Sequence, residues 1–221
     1  MTILIASGNP HKLDEIRAVF AREGGAGSPV ELVGLTSLDH PIPEPVEDQD
    51  SFEGNALLKA RYYAAVSGLV CLADDSGLVV DALGGAPGVL SARYAAAEGP
   101  RDEVDRANNA RLIRELGARP IEERAARFVC VMALCEPGRD QPLAVVRGSV
   151  EGHILGPGER GHAADGPCGR GHNGFGYDPV FVIDELGFTA AEIAPEQKNA
   201  VSHRGRAARA MWEQIRGLGL R

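Results

Sequence analysis

A chain of 221 residues with an apolar fraction of 44% is long enough for one large domain or a two-lobed one, with ample core. No apolar run approaches the roughly 18 residues that a membrane span needs, and residues 1–7 are too short for a signal peptide, so a soluble cytoplasmic protein is expected. The formal net charge of −8 excludes a general nucleic-acid binder, which needs a basic face.

The four cysteines, Cys71, Cys130, Cys135 and Cys168, include no Cys-x-x-Cys pair, and disulfides are not expected. Only three of the 23 basic residues are lysines: Lys12, Lys59 and Lys198. In a chain so biased to arginine, each lysine points to a place where a compact charge works better than a planar fork.

Residues 2–6 form an apolar run fit for a buried strand. Ser7, Gly8, Asn9, Pro10, His11 and Lys12 follow, then Leu13, Ile16 and Phe20 at helical spacing. Asn9 suits an N-cap and Pro10 a first helical position. The product is a strand, a glycine turn and a helix N-terminus whose free N–H groups suit phosphate, with Lys12 adding charge. An ordinary capped helix fits the same residues, and the Gly-Lys-Ser/Thr ending of a Walker loop is missing.

Residues 23–28 predict a glycine-rich turn and residues 30–35 a second strand. Residues 40–50 combine prolines with Glu44, Glu47, Asp48 and Asp50, an extended acidic loop from which one acid could reach a metal. Ser51 caps the next predicted helix, where Phe52, Ala56, Ala60 and Tyr63 form the buried stripe and Asn55 and Lys59 share a face.

Asp74-Asp75-Ser76-Gly77 then lies between the apolar runs 68–73 and 78–80, and is expected as a tight turn at a strand end. Two adjacent acids repel, and a hard cation such as Mg²⁺ would offset that cost. Successive side chains of an extended strand point to opposite faces, so one of the two would face the cation. The residues alone leave turn and metal site both open.

Residues 84–88 predict a close-approach turn, and Asp102 is expected to cap a helix to about Leu116, with Leu112, Ile113 and Leu116 inward. Residues 127–135 and 143–150 predict the longest strands, paired antiparallel. The glycine-rich segment 156–174 carries His162, Cys168 and His172 at a spacing that matches no standard zinc site, and a mobile loop is expected. Phe175, Gly176, Tyr177 and Asp178 precede a strand at 180–183, residues 195–198 begin a helical turn, and Ser202 caps a C-terminal helix through about Arg216. No repeat or linker divides the chain, so residues 1–221 are treated as one domain.

Six ordered motifs, Ser7-Gly8-Asn9-x-x-Lys12, Phe52-x-x-Asn55-Ala56 with Lys59, Ala73-Asp74-Asp75-Ser76-Gly77-Leu78, Gly84-Gly85-x-Pro87-Gly88, Gly174 to Pro179, and Ser202-His203-Arg204-Gly205, together resemble the inosine/xanthosine triphosphate pyrophosphatase family. The resemblance implies an α/β fold with a long, curved, mixed sheet flanked by helices, two lobes around a central cleft, and a homodimer. It implies hydrolysis of non-canonical purine nucleoside triphosphates to monophosphate and pyrophosphate with Mg²⁺. By motif, residues Ser7 to Lys12 would hold the phosphates, Glu47 and Asp75 the metal, with Asp75 also the base. Ser76 would contact substrate, Phe175 to Asp178 would receive the nucleoside, and Lys198, His203 and Arg204 would read the purine. The sequence departs from the family pattern at Gly54, and the loop before Gly174 is longer than usual. A Maf-like pyrophosphatase of different base specificity and a nucleotide-binding regulator without turnover are the competing readings.

Overall fold

The computed structural model describes residues 1–25, 28–162 and 168–219. Parallel pairing needs crossover segments, and the first third of the chain supplies them. Strand β1 (Thr2–Ile5) is followed by helix α1 (Pro10–Gly24) and β2 (Glu31–Gly34), then by α2 (Phe52–Ser67) and β3 (Val70–Val80). β1 lies parallel to both β2 and β3, with Ile3 opposite Leu32 on one side and Val70 on the other. The chain continues through α3 (Arg101–Leu116), β4 (Ala125–Cys135), β5 (Ala144–Ile154), β6 (Phe181–Ile183), β7 (Phe188–Thr189), α4 (Pro195–Val201) and α5 (His203–Gly217). β5, β6 and β7 pair antiparallel, and the seven strands form one mixed sheet in the order β2-β1-β3-β4-β5-β6-β7.

Three local predictions hold at atomic level. Asn9 Oδ1 accepts from the N–H of His11, Ser51 Oγ from Gly54, and Ser202 Oγ from Gly205, so each of these helix starts satisfies an otherwise orphaned donor. Two others need correction. The Asp pair is not on a turn: β3 runs through it as an 11-residue strand, because cations from distant segments neutralise both acids and the extended backbone need not break. Asp102 is not a cap either; Pro100, in extended conformation, precedes α3, and Asp102 pairs instead with Arg106 one turn on, at 3.0 Å. β4 and β5 are not longer than β3, since all three have 11 residues. The turn at 23–28 and the loop at 156–174 fall in part on 26–27 and 163–167, outside the described residues.

The chain divides into two compact units: the first holds Met1–Ser76, Cys130–Gly148 and Ser202–Arg221, the second Gly77–Val129 and Ser149–Val201. In the first, Ile3, Ile5, Leu72 and Met132 from the sheet pack with Ile16 and Phe20 of α1 and Met211, Trp212 and Ile215 of α5. Trp212, the single tryptophan of the chain, stands edge-on to Phe20 with ring centroids 5.4 Å apart. In the second, Leu78, Val80, Phe128 and Phe181 of the strands meet Leu112 and Leu116 of α3. The four cysteines are free thiols, and among the described residues no helix is long and apolar enough to cross a membrane.

In the first unit, α5 begins directly over the sheet. A Cβ on Gly148 of β5 would lie 2.2 Å from the carbonyl oxygen of His203 and 2.6 Å from the nitrogen of Ala207. Backbone cannot rotate aside as a side chain can, so only glycine admits this approach. Gly148→Ala is expected to lower the stability read from urea unfolding by about 1–3 kcal/mol, an overpacking cost; an unchanged midpoint would show that the first turn of α5 yields freely.

Candidate active site

In the first unit, the end of β1 delivers Ser7, Gly8 and Asn9 to the start of α1. Ser7 Oγ accepts from the N–H of Asn9, which tightens the turn that Asn9 then caps. Gly8 lies against the acidic loop: a Cβ there would come 2.6 Å from Glu44 Oε1, the end of an exposed side chain that would have to swing aside. Lys12, in the first turn of the helix, places Nζ 3.0 Å from Asp74 Oδ2.

Alternation along β3 sends its two carboxylates to different partners. Asp74 meets Lys12 and Arg204, accepts a hydrogen bond from Ser76 Oγ at 3.3 Å, and has the Cys130 thiol 3.9 Å away. Arg204 is 2% exposed, with Nη1 2.5 Å from Glu15 Oε2 and Nη2 donating to Ser76 Oγ at 2.8 Å. Burial alone would push Asp74 up, but the pull of Lys12, Arg204 and Lys59 outweighs it and holds the carboxyl well below the usual range. Arg204 moves the other way: burial would weaken its charge, and Asp74 and Glu15 strengthen it.

Asp75 turns to α2. Its Oδ1 lies 3.3 Å from Lys59 Nζ, and its Oδ2 accepts from Asn55 Nδ2 at 3.2 Å. Lys59 Nζ is also 2.9 Å from Glu47 Oε1, so one ammonium bridges the two acids expected to hold metal. Burial raises the Asp75 carboxyl above its ordinary value, more than Lys59 and Lys12 lower it, and Glu47 pushes in the same direction as burial. Lys59 keeps its charge more firmly than usual: burial opposes that charge, and Asp75, Asp74 and Glu47 together prevail. Asn55 Oδ1 accepts from the N–H of Gln49, which ties the acidic loop to the same helix.

A pair of carboxylates around one positive charge suits a cation that takes one or two protein carboxylates and completes its shell with water and phosphate, as Mg²⁺ does. Among the described residues no group of three or more His, Cys, Asp or Glu could hold a metal by itself.

The second unit holds the other expected residues. Asp178 Oδ2 accepts from the N–H of Phe175 at 2.8 Å and pairs with Lys198 Nζ at 2.7 Å. Lys198, 5% exposed, also lies over the Phe175 ring, 5.1 Å from its centroid. The hydroxyl of Tyr177 donates to the Ser91 carbonyl. Gly174 has φ +76°, and a Cβ there would sit 2.0 Å from Asp178 Oδ2, so the tight approach needs glycine.

The Ham1 family model matches residues 3–214. This chain belongs to the Ham1 family. A dITP/XTP pyrophosphatase of Geobacillus kaustophilus is 46% identical over 219 residues, covering 97% of this chain and 96% of the relative. One of Geobacter sulfurreducens is 45% identical over 218 residues, covering 99% and 98%. The solved structure of a HAM1 protein from Coxiella burnetii matches with a TM-score of 0.80 at 35% identity, covering 98% of this chain and 99% of that one. The mixed, helix-flanked sheet expected from the motifs is thus the Ham1 fold.

Within this Ham1 chain, the first unit gathers Ser7 to Lys12, Glu47, Asp75, Ser76, His203 and Arg204, and the second gathers Phe175 to Asp178 and Lys198. Sequence reasoning did not assign roles to Glu15, Asn55 or Lys59. Lys59 carried a signal, its rarity and its spacing from Asn55; Glu15 carried none, since an acid on a helix is ordinarily solvated. Arg204→Met would leave Glu15 and Asp74 without their shared cation, and an expected loss of about 3–5 kcal/mol is measurable by urea unfolding. Arg204→Lys should recover only part of it, because one ammonium cannot replace a fork that reaches three partners.

Proposed function

We propose that this protein hydrolyses ITP, dITP and XTP to the nucleoside monophosphate and pyrophosphate, removing non-canonical purines from the nucleotide pool. The observation that carries this reading is the pair of acids, Asp75 buried and Glu47 half-buried, on either side of the Lys59 ammonium, in a chain whose relatives are dITP/XTP pyrophosphatases. Phosphoryl transfer to water depends chiefly on positioning and charge neutralisation, and the residues present supply both.

The turn from Ser7 through His11 and the positive end of the α1 dipole face the phosphate oxygens, and Lys12 adds its charge at the first turn. Glu47 and Asp75 are the residues that would hold Mg²⁺. Bound there, the ion would neutralise phosphate oxygens and make water more acidic. Asp75 orients the attacking water and accepts its proton, and Asn55 fixes the carboxylate through its second oxygen. Water adds at the α-phosphorus, the bond to the bridging oxygen breaks, and pyrophosphate leaves with that oxygen. Ser76 contacts substrate from the strand position next to Asp75.

Base choice follows from donors. Hypoxanthine and xanthine carry a carbonyl at position 6 that accepts from Lys198, His203 or Arg204, whereas adenine presents an amino group there and would leave buried donors unpaired. Phe175 offers a stacking face to any purine, and Gly176, Tyr177 and Asp178 shape the segment that presents it. On the family resemblance, the enzyme is a cytoplasmic homodimer; light scattering of the purified protein tests the oligomer.

Pyrophosphate release from ITP, XTP, GTP, ATP and UTP, each with Mg²⁺ and with a chelator, tests the whole proposal. Chelator-sensitive release from ITP and XTP is expected; release chiefly from UTP would point to Maf-like chemistry, and none from any to a binding protein. Asp75→Asn should lower kcat by about 10²–10⁴ while ITP still binds, and near-normal turnover in that variant would remove Asp75 from the mechanism.

A further inference from the structure

Two side chains of α3 that no motif singled out reach the segment assigned to the nucleoside. Asp105 Oδ2 accepts from the N–H of Gly176 at 2.8 Å, and Asn109 Nδ2 donates to the carbonyl of Gly176 at 3.0 Å. The residues are four apart, so one sits above the other on the same helix face. Asp105 is buried, and Arg101, one turn earlier, holds its other oxygen at 3.0 Å. Acceptor and donor thus meet donor and acceptor, as a neighbouring strand would meet them.

We propose that Asp105 and Asn109 are positioning residues for the nucleoside, holding Gly176 by both of its backbone groups and thereby setting the ring of Phe175. Gly176 has φ +63°, a conformation that glycine reaches without steric cost, and α3 holds both of its backbone polar groups there. The N–H held by Asp105 belongs to the peptide unit that carries the Phe175 carbonyl. That carbonyl in turn accepts from the N–H of Asp178, 3.2 Å away, and the Asp178 carboxylate accepts from Phe175. The segment is therefore closed on itself by Asp178 and clasped from outside by α3. Asn109 Oδ1 is buried without a hydrogen-bond partner, and turning the amide over would set that oxygen against the Gly176 carbonyl. The polarity of the clasp is fixed in one sense.

This inference rests on the reading that Phe175 to Asp178 receive the nucleoside, and its test separates nucleoside from phosphate. Asn109→Asp keeps the side-chain size but faces an oxygen to the Gly176 carbonyl, and Asp105→Ala removes the acceptor. Both should raise KM for ITP about tenfold or more, the effect of an unmet buried hydrogen bond, with kcat within roughly threefold of wild type. Inhibition by inorganic tripolyphosphate, which has no nucleoside, should not change. Asp105→Asn, which retains an oxygen for the Gly176 N–H, should restore KM to within roughly threefold of wild type. An unchanged KM, or a loss of tripolyphosphate inhibition in proportion to the rise in KM, would overturn the proposal. If circular dichroism shows Asn109→Asp unfolded, Asn109→Ala supplies the same comparison. Absence of turnover by the wild type would count against the proposed function alone, and ITP affinity by calorimetry, wild type against variants, would then decide the role of α3.

Discussion

Two adjacent carboxylates buried on one extended strand make a demand that the surrounding fold must meet. The backbone of β3 turns Asp74 and Asp75 to opposite sides, and among the described residues the cations in direct contact with one are not those in direct contact with the other. Each must be met by its own positive charge from a different part of the chain: Lys12 and Arg204 for one, Lys59 for the other. An unpaired buried carboxylate is costly enough to protonate or to unfold its surroundings. The placement of α1, α2 and α5 in the first unit is therefore an electrostatic requirement as much as a matter of apolar packing.

The two acids end in opposite electrostatic states. Asp74 is held firmly ionised and locked to Lys12, Ser76 and Arg204, as a fixed charge that orders other side chains. Asp75, paired with Lys59 and Asn55, has fewer cations in direct contact and a carboxyl raised by burial. Strand alternation thus gives two neighbours in sequence opposite electrostatic surroundings. In the second unit a single acid, Asp178, both closes the segment at Phe175 and pairs with Lys198 over the ring.

Much of this was legible in the sequence where the controlling chemistry is local. Asn9, Ser51 and Ser202 could be recognised as caps because a cap and the N–H it satisfies lie within three residues of each other. The ordered motifs pointed to the family and so to the fold. The Asp pair was misjudged as a turn because Asp, Ser and Gly are turn formers by composition, and the partners that keep the strand extended come from positions 12, 59 and 204. Asp102 was misjudged for a related reason: it has the composition of a cap, but an extended proline two residues earlier starts the helix sooner. Glu15, Asp105 and Asn109 gave no sign, since polar residues on a helix acquire meaning only when tertiary structure shows what they face.

The single tryptophan has a practical consequence for anyone who follows this protein in solution. Trp212 is packed edge-on to Phe20 in the core of the first unit, and the second unit contains no indole. Its fluorescence is thus a local reporter of the helices and strands that carry Asp74 and Asp75. Backbone dichroism weighs both units together, so the two signals coincide during denaturation only when the molecule melts as one cooperative body.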